Sequence, residues 1–461
     1  MVKFEDYLSD LTSNDYIDIG LYDKYNVKRG LRNADGSGVL VGLTRVGEVH
    51  GYIVIEGEHQ AVDGQLFYRG INVEDIVTAA AREKRFAFEE VVYLLMFGEL
   101  PAKSQLEKFC ALMGETRKLP MYFRRDHIMK APSSDIMNKL AQSVLTLYSF
   151  DKKAEDRSPE NVLRQCIELI SRFPAIIAYS YMAKKHYLDK DSLIIHEPDP
   201  DQNTAETILS LIRADRRFTR LEAETLDLAL TLHAEHGGGN NSTFAVHLIS
   251  SSDTDTYSAI AAGVGSLKGY KHGGANAKVS GMMEDIKQHV NKWDDEAEVE
   301  AYLEKILKGE AYDRSGLIYG QGHAVYTKSD PRAILLRGKA AQLANEKQSM
   351  DEFNLYTLIE RLVPPVFKRV KGSDKEICAN VDFYSGFVYS MLGIPVELYT
   401  PIFAVSRVAG WCAHRMEEAV AGGRIIRPAY KCVQKHIPYI STAERERGAL
   451  SQEANGNPRA P

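Results

Sequence analysis

The chain has 461 residues, of which 44% are apolar and 26% charged, and its 63 acidic and 57 basic side chains leave a formal net charge of −6. That length exceeds what one hydrophobic core usually serves, so two or more domains are expected. The composition excludes a disordered polymer, a collagen and a disulfide-stapled miniprotein, and the absence of any block of like charges argues against nucleic acid as a partner.

The N-terminal stretch MVKFEDYLSDLTSNDYIDIG is acidic without an apolar run, so it reads as neither a secretory signal nor a transit peptide. No stretch approaches the roughly 18 apolar residues a membrane span needs. The next segments, Gly38–Gly47 and Tyr52–Glu56, read as short extended pieces. From Asn72 to Phe97 the apolar residues recur at helical spacing, with Asn72 as a cap and Gly98 and Pro101 closing the stretch. Similar patterns cover Ile136–Leu147, Asn161–Ala183, Thr204–Leu211 and Arg220–His233, and Pro174 marks a kink or a break within the second. Asp330-Pro331 and Thr400-Pro401 each set a capping side chain before a proline at the first helical position, where its missing N–H costs nothing. The second of these helices runs towards Gly422-Gly423, and Glu444–Pro461 reads as a loose polar tail. The fold class expected is mainly α. The five cysteines (Cys110, Cys166, Cys378, Cys412 and Cys432) are scattered and lack a CxxC. They fit a reducing, cytoplasmic compartment and argue against a thiolate metal site.

Four groups of residues could carry chemistry. Histidines beside glycine occur at His50, His236, His272 and His323, where about two such neighbours are expected by chance, so the pattern alone is weak. His233 and His236, three apart, could share a helix face as metal ligands, but no third ligand follows at a known spacing, and no metal is expected. Asp382, in NVDFYSG, is either a desolvated base with a raised pKa or a helix cap, and the residues alone leave both open. Arg332 and Arg427 stand beside helix starts and turns. Arg407 lies inside the apolar run PIFAVSRVAGW, where a buried guanidinium needs an anion, either an internal carboxylate or a bound one.

The ordered blocks GQLFYRGINVEDIV, FEEVVYLLMFGELP, LHAEHGGGNNST, KGYKHGGANAKV, GQGHAVYTKSDPRA, NVDFYSG and FAVSRVAGWCAHRMEE…IIRP resemble the citrate synthase family from about Gly64 to Pro428. The resemblance implies a large helical domain over residues 1–274 and 386–461, a smaller helical domain over 275–385, an active site in the cleft between them, and a homodimer. It implies condensation of oxaloacetate with acetyl-CoA, which is a substrate, so no cofactor is expected. His272 matches the histidine that holds the thioester oxygen, Asp382 the base, and His323 the residue that polarises the keto oxygen. His236, Arg332, Arg407 and Arg427 match the oxaloacetate- and citrate-binding set, with Arg427 reaching in from the neighbouring subunit. For the CoA phosphates only Lys328 and nearby basic residues offer themselves, and Thr327 stands where some members have arginine. A 2-methylcitrate synthase using propionyl-CoA has the same catalytic set, and one methylene in a pocket is worth only about 1–3 kcal/mol of discrimination. A non-catalytic scaffold or a metal-dependent hydrolase on His233 and His236 are the readings from other classes.

Overall fold

The protein is described by a computed structural model over residues 16–33, 37–55, 58–322, 325–373 and 376–447. The chain divides into two compact units, Met1–Gly42 with Arg427–Pro461, and Leu43–Ile426. Among its described residues the first holds short helical turns at Gly20–Lys24 and Arg29–Leu31, and Lys431 lies over the Tyr25 ring at 5.8 Å. Residues 442–447 are helical, with Ser441 as the cap: the Glu444 amide donates to its hydroxyl at 3.3 Å. The expected loose tail therefore starts with a helical turn, and 448–461 lie outside the described residues.

The second unit begins with an antiparallel sheet, β1 (Gly47–Ile55), β2 (Glu58–Tyr68) and β3 (Ile71–Asn72), in the order β1-β2-β3. Gly47 pairs with Tyr68, and the register shifts between His50 and Tyr52. The expected extended segment Gly38–Gly47 is thus misplaced. Apart from an isolated bridge at Gly38 and the strand residue Gly47, that segment is irregular. The sheet pairs the residues after Gly47 with β2, which alternation did not single out, and Glu56 lies outside the described residues.

Helices dominate the rest. The expected Asn72–Phe97 stretch is two helices, α1 (Val73–Glu83) and α2 (Phe88–Phe97), because Lys84 takes a left-handed conformation at φ 55° and stops the first. Asn72 caps α1 by accepting the Glu74 amide at 3.0 Å. There follow α3 (Lys103–Thr116), α4 (Ile136–Leu147), α5 (Pro159–Tyr187), α6 (Thr204–Ile212), α7 (Arg220–His233), α8 (Asn241–Ser250) and α9 (Thr256–Leu267). The last are α10 (Ala275–His289), α11 (Glu296–Lys308), α12 (Pro331–Glu346), α13 (Met350–Lys371), α14 (Val381–Met391) and α15 (Tyr399–Ala421). Pro174 neither breaks α5 nor ends it. Ile170, Ser171, Phe173 and Ala175–Ala178 are all buried around it, and that packing outweighs one lost backbone bond.

Asp330 and Pro331 start α12 as expected. Thr400 does not cap α15, which starts at Tyr399; its hydroxyl instead donates to Gly273 O at 3.0 Å, in the turn before α10. Buried almost all round from Pro401 to Arg415, α15 packs on α2, α5, α7 and α8. Towards the other end of the sequence, α12 packs on α14 and α7, and α10 on α14. No helix is long and apolar enough to cross a membrane among the described residues.

Candidate active site

Helix ends and the turns between them supply the site. His233 is the last residue of α7, His236 follows in the turn, and His272 stands three residues before α10. Arg332 and Asp382 are each the second residue of a helix, α12 and α14, and Arg407 lies in the middle of α15. Side chains at helix ends converge without disturbing the helical bonds that hold them.

Charge ties these positions together. Arg332 and Arg407 both act on Asp382 and on His233, and Arg407 also acts on His272. Asp382 keeps a little of its surface in solvent, yet burial pushes its carboxyl up to about 6 against the pull of Arg332 and Arg407. It is not the helix cap. That role belongs to Asn380, whose Oδ1 accepts the Asp382 amide at 3.0 Å. Both readings of this aspartate from sequence therefore resolve: the cap lies two residues earlier, which frees the Asp382 carboxylate.

The two arginines differ. The Arg332 guanidinium donates to both carboxylate oxygens of Asp330, at 3.0 and 2.8 Å, and its carbon sits 5.5 Å from the Tyr326 ring centre. The His236 ring meets the same tyrosine edge-on at 5.6 Å. Arg407 donates Nε–H to the His233 carbonyl at 2.6 Å and lies 4.7 Å from the Phe403 ring. Its Nη1 is buried and has no hydrogen-bond partner among the described residues. Burial lowers Arg407 to about 10, with Glu235 opposing. A buried guanidinium nitrogen without an acceptor is a donor awaiting one.

The histidines are neutral donors and acceptors. Burial brings His272 down to about 4 and His233 to about 3, with nearby arginine charge adding to both. His272 Nε2 lies 2.9 Å from the Ser242 hydroxyl, which accepts the Trp411 indole N–H at 3.1 Å. The single Ser242 proton has two acceptors within 2.9 Å, His272 Nε2 and Asn240 Oδ1. His233 Nδ1 is 2.7 Å from Ala229 O and its Nε2 has no partner among the described residues.

His323 lies outside the described residues. Gly322, just before it, donates its amide to Cys378 O at 2.7 Å, and Asn380 donates its side-chain amide to Gly322 O at 3.0 Å, so this loop is stitched to the lead-in of α14. Lys328 is exposed, its ammonium 3.5 Å from Asp63. Arg427 is exposed and belongs to the other compact unit.

Sequence reasoning missed Glu235, Ser242, Trp411 and His414. Glu235 is buried, its Oε1 3.1 Å from His414 Nε2. Burial opposes the charge on His414, but Glu235 wins and raises it to about 9. Space for that carboxylate depends on Gly47 and Gly410, where a Cβ would run into it. One signal was available, an acid placed between two histidines in HAEH.

Residues 36–429 match the family model described as citrate synthase, C-terminal domain. A citrate synthase of Synechocystis sp. is 33% identical over 92% of this chain and 96% of its own length. A 2-methylcitrate synthase of Shewanella oneidensis is 31% identical over 79% and 87% respectively. Among solved structures, the Thermoplasma acidophilum citrate synthase in ternary complex with carboxymethyl coenzyme A and oxaloacetate aligns with a TM-score of 0.73 at 28% identity, covering 91% of this chain and 99% of that one. On the strength of those matches, and with its helical fold in agreement, the chain belongs to the citrate synthase family.

Proposed function

We propose that the chain condenses acetyl-CoA with oxaloacetate and water to give citrate and free CoA. The observation that carries this reading is the pairing of Asp382, raised to about 6, with the buried, unpartnered Nη1 of Arg407. A carbon acid needs a base close to neutrality, and a small dicarboxylate needs a guanidinium already stripped of water.

Asp382 takes a proton from the acetyl methyl group. The electron pair moves onto the thioester oxygen, where His272 donates a hydrogen bond. For that, the Ser242 hydroxyl donates a hydrogen bond to His272 Nε2, which selects the neutral tautomer that carries its proton on Nδ1 and donates from there. A neutral imidazole suits the role, because it donates without a charge of its own. Arg332, Arg407 and His236 hold the oxaloacetate carboxylates, Arg427 joins them from a neighbouring subunit, and His323 polarises the keto oxygen. The enol carbon attacks the keto carbon, and water then cleaves the citryl thioester to release CoA. Residues 275–385 form the domain that closes over 1–274 and 386–461, excluding water until that step. Support for a unit there comes from the packing of α11 and α12 on α13. Lys328 contributes to holding the CoA phosphates. The enzyme works as a cytoplasmic homodimer in the tricarboxylic acid cycle, without a cofactor.

The decisive experiment follows free thiol as CoA is released, with oxaloacetate and either acetyl-CoA or propionyl-CoA, in EDTA. Faster release from acetyl-CoA is expected. The name of the Shewanella relative makes 2-methylcitrate synthesis the second reading, and preference for propionyl-CoA would select it. No release from the folded protein with either would overturn both.

A further inference from the structure

We propose that His247, His414 and Glu417 bind one borderline divalent cation of the zinc and cobalt class, beneath the turn that carries His236. This site lies outside the substrate-binding set and does not depend on the activity proposed above.

His414 is completely buried in α15. Its Nε2 faces Glu235, so its Nδ1 points the other way. There, 2.9 Å off, stands Nε2 of His247 on α8. Glu417, three residues along α15 from His414, brings Oε2 to 3.7 Å from His414 Nδ1, and the Thr44 hydroxyl is 3.4 Å from the same nitrogen. The three imidazole and carboxylate ligand atoms lie within 4.8 Å of one another. Donor atoms bound to a tetrahedral zinc at about 2.0–2.2 Å sit roughly 3.3 Å apart. The two rings need to part by a few tenths of an ångström, and the carboxylate, as much as 4.8 Å from the His247 nitrogen, to swing in by up to about 1.5 Å.

The carboxylate has an oxygen to give. Glu417 Oε1 accepts the Arg45 amide at 2.7 Å, whereas Oε2 is buried with no hydrogen-bond partner among the described residues. Two imidazoles and one carboxylate select zinc, cobalt or nickel over magnesium or calcium. Glu235 completes the pattern: a carboxylate on the far nitrogen of a histidine fixes the tautomer that presents the near nitrogen to a metal. His233 and His236, the pair that stands out in the sequence, have no third ligand grouped with them among the described residues.

The ion would be structural. It would tie α8, α15 and the Thr44–Arg45 segment together below the Glu235–His236 turn, and without it a proton between the two rings holds them. The test uses the full chain, stripped with EDTA, desalted and titrated with Co²⁺. One equivalent should bind with the visible ligand-field bands of a four-coordinate ion, and one equivalent of Zn²⁺ should displace it. His247→Gln should abolish the bands and weaken binding by more than about 100-fold, beyond what losing an outer partner costs. Glu417→Gln, a second variant should the first fold poorly, should weaken it by at least about 10-fold. Absence of bands in excess Co²⁺, or the same bands in both variants, would overturn the proposal.

Discussion

Asp382 and Glu235 are two carboxylates of one site, and their surroundings send them in opposite directions. Both feel burial and both feel Arg407. Glu235 has the His414 imidazole at 3.1 Å and is held below the ordinary carboxylate range. Asp382 feels two arginines only through space, and burial wins. What decides the outcome is how close the cation comes: His414 at 3.1 Å outweighs burial at Glu235, by its charge first and its hydrogen bond second, whereas the arginines around Asp382 do not. The contrast separates a carboxylate that holds its surroundings in place from one left free to accept a proton.

Replacing Asp382 by Asn breaks the comparison most severely. The amide cannot accept the proton, and turnover should fall by about 10²–10⁴-fold, the usual worth of a positioned base. The same change should make the protein more stable. Ionised Asp382 carries a folding penalty, because its pKa rises from 3.8 to about 6. That difference of about 2 units is worth at most about 3 kcal/mol. The sign follows from the protons bound: above about pH 6 the acid is charged in both states and the penalty is complete, while below about 4 it is protonated in both and the penalty is gone. Thermal melts of both proteins at pH 7.5 and 4 should therefore show the variant ahead only at the higher pH. For the native chain, kcat/KM should fall as pH drops through about 6, and a flat profile between 5 and 7.5 would remove Asp382 from the role of base.

Arg407→Leu comes next. It deletes the Nη1 donor and the bond to His233 O together. A charge-assisted hydrogen bond is worth about 1.5–3 kcal/mol, so KM for oxaloacetate should rise by about 10- to 100-fold. Arg332 is already satisfied on two nitrogens by Asp330, so Arg332→Leu should cost more in stability than Arg407→Leu does, since it strands a buried carboxylate. Equal effects of the two on KM and on the melting temperature would dissolve the distinction drawn between them.

How far the sequence carried depends on whether a residue's role is local. Caps at Asn72 and Asp330 depend on the next two or three residues, and the Ile136–Leu147 and Arg220–His233 helices stand where the periodicity puts them. The break at Lys84 follows from a left-handed backbone that no Gly or Pro announces. Strand β2 eluded the reading because pairing with β1, rather than its own alternation, creates it. In the site, His272, Asp382 and Arg407 stand in the family motifs, and the fold puts His272 and Asp382 within the field of Arg407. Their supports were not legible. Ser242, Trp411 and His414 reach their partners from helices 30 to 179 residues away in the chain. Ser242→Ala would probe that layer. It should lower kcat by roughly 10-fold and leave the buried Trp411 indole without an acceptor, at a cost of about 1–3 kcal/mol read from denaturant unfolding.

Thr400 gives the smallest expected effect and the finest test. As a helix cap it would stabilise α15 and nothing else; as the donor to Gly273 O it holds the turn between His272 and α10. Both readings predict a loss of about 1 kcal/mol for Thr400→Val, so stability cannot tell them apart. Kinetics can. A loosened Gly273 turn shifts His272 away from the oxygen it must meet, and misplacement of a donor lowers kcat rather than substrate affinity. We expect a few-fold fall in kcat with the oxaloacetate KM unchanged. Because Val keeps the shape of Thr and removes only the hydroxyl, wild-type kcat in a slightly destabilised variant would return Thr400 to a purely local role in its helix.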